Sequence, residues 1–229
     1  MRLSIAATAL AALLAGGSAQ AAITVVSGSF IGAPTAFNGF ENLPANFGVP
    51  YVEQGIAVRY VTDEDYNIFS TIQAYEGTHS FFAEGVTGGT AHLAHGYADI
   101  TLSGGGDFPA IQFAMGSAFD DAGARLNYQL LNDGVVVQTG VAGPVPAYGG
   151  FNVYGFYGAP FDEVRLQVNF DGVFDPTAIE AGDLDAVSVG AVVPEPGAWA
   201  LLIVGFGLTG AALRGRRVAA PVRLPIRAR

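Results

Sequence analysis

Between residues 22 and 193 the apolar side chains recur with a period of two. In the stretch EVRLQVNF, Val164, Leu166, Val168 and Phe170 alternate with Arg165, Gln167 and Asn169. A helix would need apolar positions three and four apart, so this spacing demands a strand with one buried and one wet face. In ARLNYQLLNDGVVVQTG the series Leu126, Tyr128, Leu130 runs into Asn132, Asp133 and Gly134 and leaves through Val135, Val136 and Val137. Two strand patterns joined by such a turn predict a hairpin. ITVVSGSF, GIAVRYV, YADITL, IQFAM, FNVYGF and AVSVGA read the same way, with glycine and proline between them. No amphipathic helix pattern and no internal repeat interrupts the series. The expected fold is one all-β domain, an antiparallel β-sandwich of the jelly-roll kind, over residues 22–192.

Both ends depart from this pattern. Arg2 precedes an Ala/Leu-rich run, and the stretch SAQA places small residues at Ala19 and Ala21. That is the layout of a secretory signal peptide over residues 1–21, cut near Ala21/Ala22. Near the other end, residues 198–213 carry no charge. Sixteen residues fall slightly short of the ~20 that a spanning helix prefers, and flanking arginines that snorkel extend the reach. A single transmembrane helix is expected there, with a basic cytoplasmic tail over residues 218–229. Gly205, Gly207 and Gly210 match a G-x-G-x-x-G spacing, but no buried strand feeds it, so a dinucleotide site is excluded.

Charge supports this division. All 20 acidic residues lie between Glu41 and Glu195, where Arg59, Arg125 and Arg165 are the only arginines, a formal balance of −17; there is no lysine. Such a surface repels phosphate backbones and argues against nucleic-acid binding. The last 16 residues reverse the sign with six arginines, as the positive-inside rule expects for a cytoplasmic tail. The absence of cysteine excludes a disulfide framework, a thiol nucleophile and thiolate metal ligands.

The residues Pro194, Glu195, Pro196, Trp199 and Ala200, then the glycine-containing apolar run, then Arg214, Arg216 and Arg217, stand in this order near the chain end. This tail resembles a PEP-CTERM sorting signal of the PEPxxWA subtype, spanning residues 193–217. The resemblance implies Sec-dependent export through the translocon and signal peptidase, transient anchoring in the inner membrane with the domain in the periplasm, and recognition by an exosortase. It further implies delivery to the cell surface or to an exopolysaccharide-rich biofilm matrix. The two prolines suit the role, because they keep Glu195 extended and outside the helix. Here the chain continues for twelve residues beyond Arg217, longer than tails of this family usually run.

More loosely, residues 37–44, 155–166 and 181–190 are similar to the jelly-roll modules of PEP-CTERM proteins, related to galactose-binding-like carbohydrate modules. That likeness implies a structural calcium between an early acid and one near the last strand, which here are Glu41 and Asp185, with Asp183 nearby. Hard oxygen ligands suit calcium; solvated acids beside turns are the competing reading. His79, His92 and His95 are the only histidines and read as surface residues rather than zinc ligands. Tyr148, Phe151, Tyr154, Phe156 and Tyr157 cluster within ten residues, so Tyr154 and Tyr157 are candidates for stacking on a sugar, against the simpler reading of core packing. No G-x-S-x-G stretch occurs and no carboxylate pair is singled out. The expectation is an exported envelope or matrix protein that is sorted by an exosortase and has no catalytic activity or required cofactor. A surface carbohydrate-binding module and, further off, a secreted hydrolase are the alternatives.

Overall fold

The computed structural model describes residues 22–42, 50–62, 67–71, 74–77, 79–87, 90–92, 96–117, 123–147, 149–175, 182–192, 203–210 and 214. They divide into two units between Val192 and Val193. The first is an antiparallel β-sandwich, as the alternation predicts.

Its strands are β1 (Thr24–Ser27), β2 (Ile31–Asn38), β3 (Tyr51–Glu53), β4 (Ile56–Thr62), β5 (Asn67–Thr71), β6 (Ser80–Thr87), β7 (Thr90–His92), β8 (Gly96–Leu102), β9 (Ala110–Ser117), β10 (Arg125–Asn132), β11 (Val135–Pro144), β12 (Asn152–Tyr157), β13 (Glu163–Asn169) and β14 (Gly182–Val192). One sheet runs β1-β12-β9-β14-β6-β5, with β2 also on β14 and β7 on β6; the other runs β11-β10-β13-β8-β4-β3. From β11 to β14 each successive strand crosses from one sheet to the other, in the manner of a jelly roll.

The predicted hairpin is β10-β11. Asp133 (φ 51°) and Gly134 (φ 76°) both take the left-handed conformation that a two-residue turn of the primed type requires. Strand β14 lies inside its sheet. Residues 182–189 meet β9 on one side, while on the other the first residues of the strand meet β6 and its later ones β2. The register shifts between Asp185 and Ser188, where Ala186 has φ 49°, so the strand is bulged where it changes partner.

The core forms from alternate residues of both sheets: Leu126, Tyr128 and Leu130 from β10, Val164, Leu166 and Val168 from β13, Ile111, Phe113 and Met115 from β9, and Leu184, Val187 and Val189 from β14. The Tyr128 and Phe156 rings meet across the layers, 4.7 Å between centroids. Burying each large side chain contributes roughly 1.5–3 kcal/mol relative to leaving it in water. Phe170 departs from the expected series. Strand β13 ends at Asn169, and Phe170 lies beyond it, 43 % exposed.

In the second unit, residues 203–210 are helical and exposed, and Arg214 is helical and exposed as well. Among the described residues no helix is long and apolar enough to cross a membrane. Of the span expected at residues 198–213, only residues 203–210 are described. Ala19, Ala21, Pro194, Glu195, Pro196, Trp199, Ala200, Arg216 and Arg217 lie outside the described residues.

Candidate functional site

Because Ile56, Val58, Ala98, Ile100, Val164 and Leu166 fill the core, the residues between them on β4, β8 and β13 point away from it. That places Arg59, Asp99 and Arg165 side by side on the outer face of the six-stranded sheet. Arg59 is directly opposite Asp99, Asp99 opposite Arg165, and Arg165 opposite Gln129. A parallel row, one pleat along, contains Thr101, Glu163 and Leu131.

Charge pairing organises the first row. Arg59 sends Nε and Nη2 to Asp99 Oδ2, both at 2.6 Å. Arg165 donates from Nε to Glu163 Oε1 at 2.5 Å and lies over the Tyr97 ring, 5.2 Å from its centroid. Tyr97 in turn contacts Phe174, with centroids 5.4 Å apart. The Asp99 side chain is only 1 % exposed, whereas that of Arg59 is 52 % exposed. Burial pushes the Asp99 carboxyl up to about 6, against the pull of the Arg59 hydrogen bond, and the charge of Glu163 adds to the rise. Asp99 Oδ1 is buried with no donor within reach. As a carboxylate it is therefore left half satisfied.

A polar lattice on β10 and β13 ties the segment carrying Phe174 to this face. Asn127 Nδ2 donates to Asn169 Oδ1 at 2.6 Å, and Asn169 Nδ2 donates to Gln167 Oε1 at 3.1 Å and to the Val173 carbonyl at 2.7 Å. The Gly172 and Asp175 amides donate to Asn169 Oδ1 and Gln167 Oε1. These amide side chains are buried on an outer sheet face, so residues 170–175 lie over them as a cover. The face thus offers guanidinium donors, carboxylate acceptors and half-buried aromatic rings on a rigid sheet, which is the chemistry that binds hydroxylated, flat-sided ligands.

No protein-family model matches this chain and no curated protein matches it. The likenesses are to solved folds. The C-terminal family 22 carbohydrate binding module of Clostridium thermocellum Xyn10B aligns at 13 % identity over 69 % of this chain and 94 % of that one, with a TM-score of 0.39. The CBM22-1 xylan-binding domain of Paenibacillus barcinonensis Xyn10C aligns at 15 % identity over 72 % and 100 %, with a TM-score of 0.37. The K2 cleaved adhesin domain of Lys-gingipain aligns at 8 % identity over 73 % and 99 %, with a TM-score of 0.41. None of these assigns a ligand or a residue role here.

Of the two expected ligand tyrosines, Tyr154 needs correction. Tyr154 is 1 % exposed in the core, and its hydroxyl donates to the Pro144 carbonyl, so it has no ring face to offer a sugar. Tyr157 is half-buried, with its ring 5.8 Å from that of Phe30. Alternation decides the difference: Tyr154 and Phe156 share the inward side of β12, and Tyr157 takes the other. Tyr148 lies outside the described residues.

Of the three candidate calcium acids, Asp185 lies within electrostatic reach of both Glu41 and Asp183, and each has its own hydrogen-bond partners. Asp185 Oδ2 accepts the amides of Tyr75 (2.7 Å) and Glu76 (3.0 Å), and its Oδ1 accepts that of Ala186 (2.6 Å). Glu41 Oε1 accepts the His79 amide at 3.1 Å, and a side chain at Gly77 would stand 2.1 Å from that oxygen. Asp183 Oδ1 accepts the Ser80 hydroxyl at 3.4 Å. Burial pushes Asp185 up to about 6, with the Glu41 charge contributing, and Asp183 up to about 7. Glu41 and Asp185 thus flank one backbone segment and feel each other's charge, and their oxygens are of the type calcium takes. Among the described residues no group of three or more acids or histidines could hold a metal ion, so the remaining donors would be carbonyls or water. His92 lies in β7 and His95 lies outside the described residues.

Sequence reasoning missed the Arg59-Asp99-Arg165 row. The only signal for it was that each of the three sits between two apolar residues on a strand, which gives their side of the sheet but not their neighbours.

Proposed function

We propose that this is an exported, non-catalytic binding domain of the cell envelope or extracellular matrix that holds polysaccharide on the outer face of its six-stranded sheet. The observation that carries the reading is the row Arg59, Asp99 and Arg165 beside Tyr97 and Glu163. It groups donors, acceptors and rings on one sheet face, where alternation alone would require only solubility. Charged pairs on a rigid surface donate and accept in fixed directions, which suits the paired hydroxyls of a sugar ring.

Delivery is the second part of the proposal. The Ala19/Ala21 site, the Pro194-Glu195-Pro196 motif with Trp199 and Ala200, and the arginines from Arg214 onward support export, inner-membrane holding and exosortase processing. Calcium is the third, with Glu41 and Asp185 as its carboxylate ligands and Asp183 left to Ser80.

A polysaccharide panel, probed with the purified full chain in mild detergent and with its Tyr97→Ala and Arg165→Gln variants, tests the binding face. Retention on at least one polysaccharide, weakened in both variants, is the expected result. Retention that both variants leave unchanged would move the site elsewhere, and failure to bind any member would remove the reading.

A further inference from the structure

The ligand class of this face follows from where the positive charge of the domain lies. Resting on the polysaccharide-binding reading above, we propose that the face takes an acidic polysaccharide, one whose sugars carry carboxylates, rather than a neutral one.

Between Glu41 and Glu195 the chain has only three arginines against its 20 acids. All three stand on this one face. Arg59 and Arg165 share a cross-strand row with Asp99 between them. Arg125 begins β10, opposite Asn169 on β13, and shares the outward side with Asn127 and Gln129. A domain so acidic needs no arginine to remain soluble, and evenly scattered arginines would relieve self-repulsion better than grouped ones. Their placement makes this the one face of the sandwich that a polyanion can approach without meeting acids alone.

The carboxylates on and beside the face, Asp99, Glu163, Asp171 and Asp175, outnumber its three arginines, so the attraction rests on open guanidinium edges and not on net charge. Arg59 spends Nε and Nη2 on a single oxygen of Asp99, and no further partner of its guanidinium is seen among the described residues. Its side chain is half exposed, so the outer edge of the fork is open to a second carboxylate, the partner whose geometry it fits. Arg165 is held by Glu163 and by the Tyr97 ring, which fixes its direction. Arg125 is exposed and has no acid partner among the described residues. Asp171 and Asp175, on the covering segment, are exposed beside the row and limit how a chain of anions can lie across it.

The test compares polygalacturonate with the same polymer fully methyl-esterified, and with dextran, each immobilised and probed with the full chain in mild detergent. Polygalacturonate is expected to bind at least about tenfold more tightly than its ester, the effect of one charge-assisted hydrogen bond. Added salt should weaken it steeply and leave the ester unaffected. Arg59→Gln should remove most of the preference. Since that change leaves Asp99 buried and unpaired, Arg125→Gln, at an exposed position without a partner, provides a variant whose fold is not in question and should lower it too. Equal binding to polygalacturonate and its ester would overturn the acidic-ligand proposal and leave polysaccharide binding standing. No binding to any polysaccharide would overturn both.

Discussion

Asp99, Asp183 and Asp185 are buried carboxyls that burial holds above the ordinary carboxylate range. Where burial raises a carboxyl, the folded state keeps a proton that the unfolded state loses, so the stability it contributes is full below the unfolded pKa and is lost as pH rises through the folded one. For Asp183, pushed up to about 7 from an ordinary 3.8, that window runs from pH about 4 to about 7. Asp183→Asn keeps an acceptor for Ser80 and removes the titration. Chemical denaturation from pH 4 to 7 should show wild-type stability falling and the variant's profile flattened, by at most about 4 kcal/mol over the range. A wild-type profile that rises instead would mean that Asp183 is compensated by a charge not described above. Asp185 has a different test. Calorimetric melts should shift upward in calcium relative to chelator, and Asp185→Asn should abolish the shift; superimposed wild-type curves would leave Asp185 as a cap on the Tyr75 and Glu76 amides. Asp99 connects titration to binding. Below pH about 6 its proton removes one negative charge from between Arg59 and Arg165, so polygalacturonate should bind more tightly at pH 5 than at pH 7, and Asp99→Asn should remove that difference.

At the scale of elements, the strands were legible and their neighbours were not. Alternation named the inward residues of β10 and β13 correctly because a period of two leaves only two choices of face. It failed at Phe170, where β13 has already ended, and although it puts Tyr154 and Tyr157 on opposite faces of one strand, it does not say which of the two faces the core. The Asn127, Gln167 and Asn169 lattice was likewise invisible. These are polar residues at outward positions, and only the return of residues 170–175 over them buries them. Asn169→Ala should leave the Gly172 amide and the Val173 carbonyl without their side-chain partner and take one of two partners from Asn127 Nδ2 and Gln167 Oε1, costing about 2–4 kcal/mol. Hydrogen exchange should then speed selectively at Gly172, and polysaccharide binding should weaken as Phe174 loses its place against Tyr97. Unchanged exchange at Gly172 would show that the segment is held by something other than Asn169.

For the whole molecule, the decisive measurement is the intact mass and cell fraction of the protein made with and without an exosortase. The sorting reading expects a species ending near residues 193–196, released from the inner membrane only when the enzyme is present; a tail retained in both strains would make residues 198–213 a permanent anchor. The position of β14 bears on when such a chain can fold at all. Residues 182–192 lie between β9 on one side and β6 and β2 on the other. A polypeptide delivered N-terminus first, from a ribosome or through a membrane, therefore carries an open seam along the middle of its larger sheet until its final strand arrives. Closure rests on long-range pairings, slow by the measure of contact order. On the export reading the domain would stay threadable until that strand is delivered, and the strand lies immediately before residue 193.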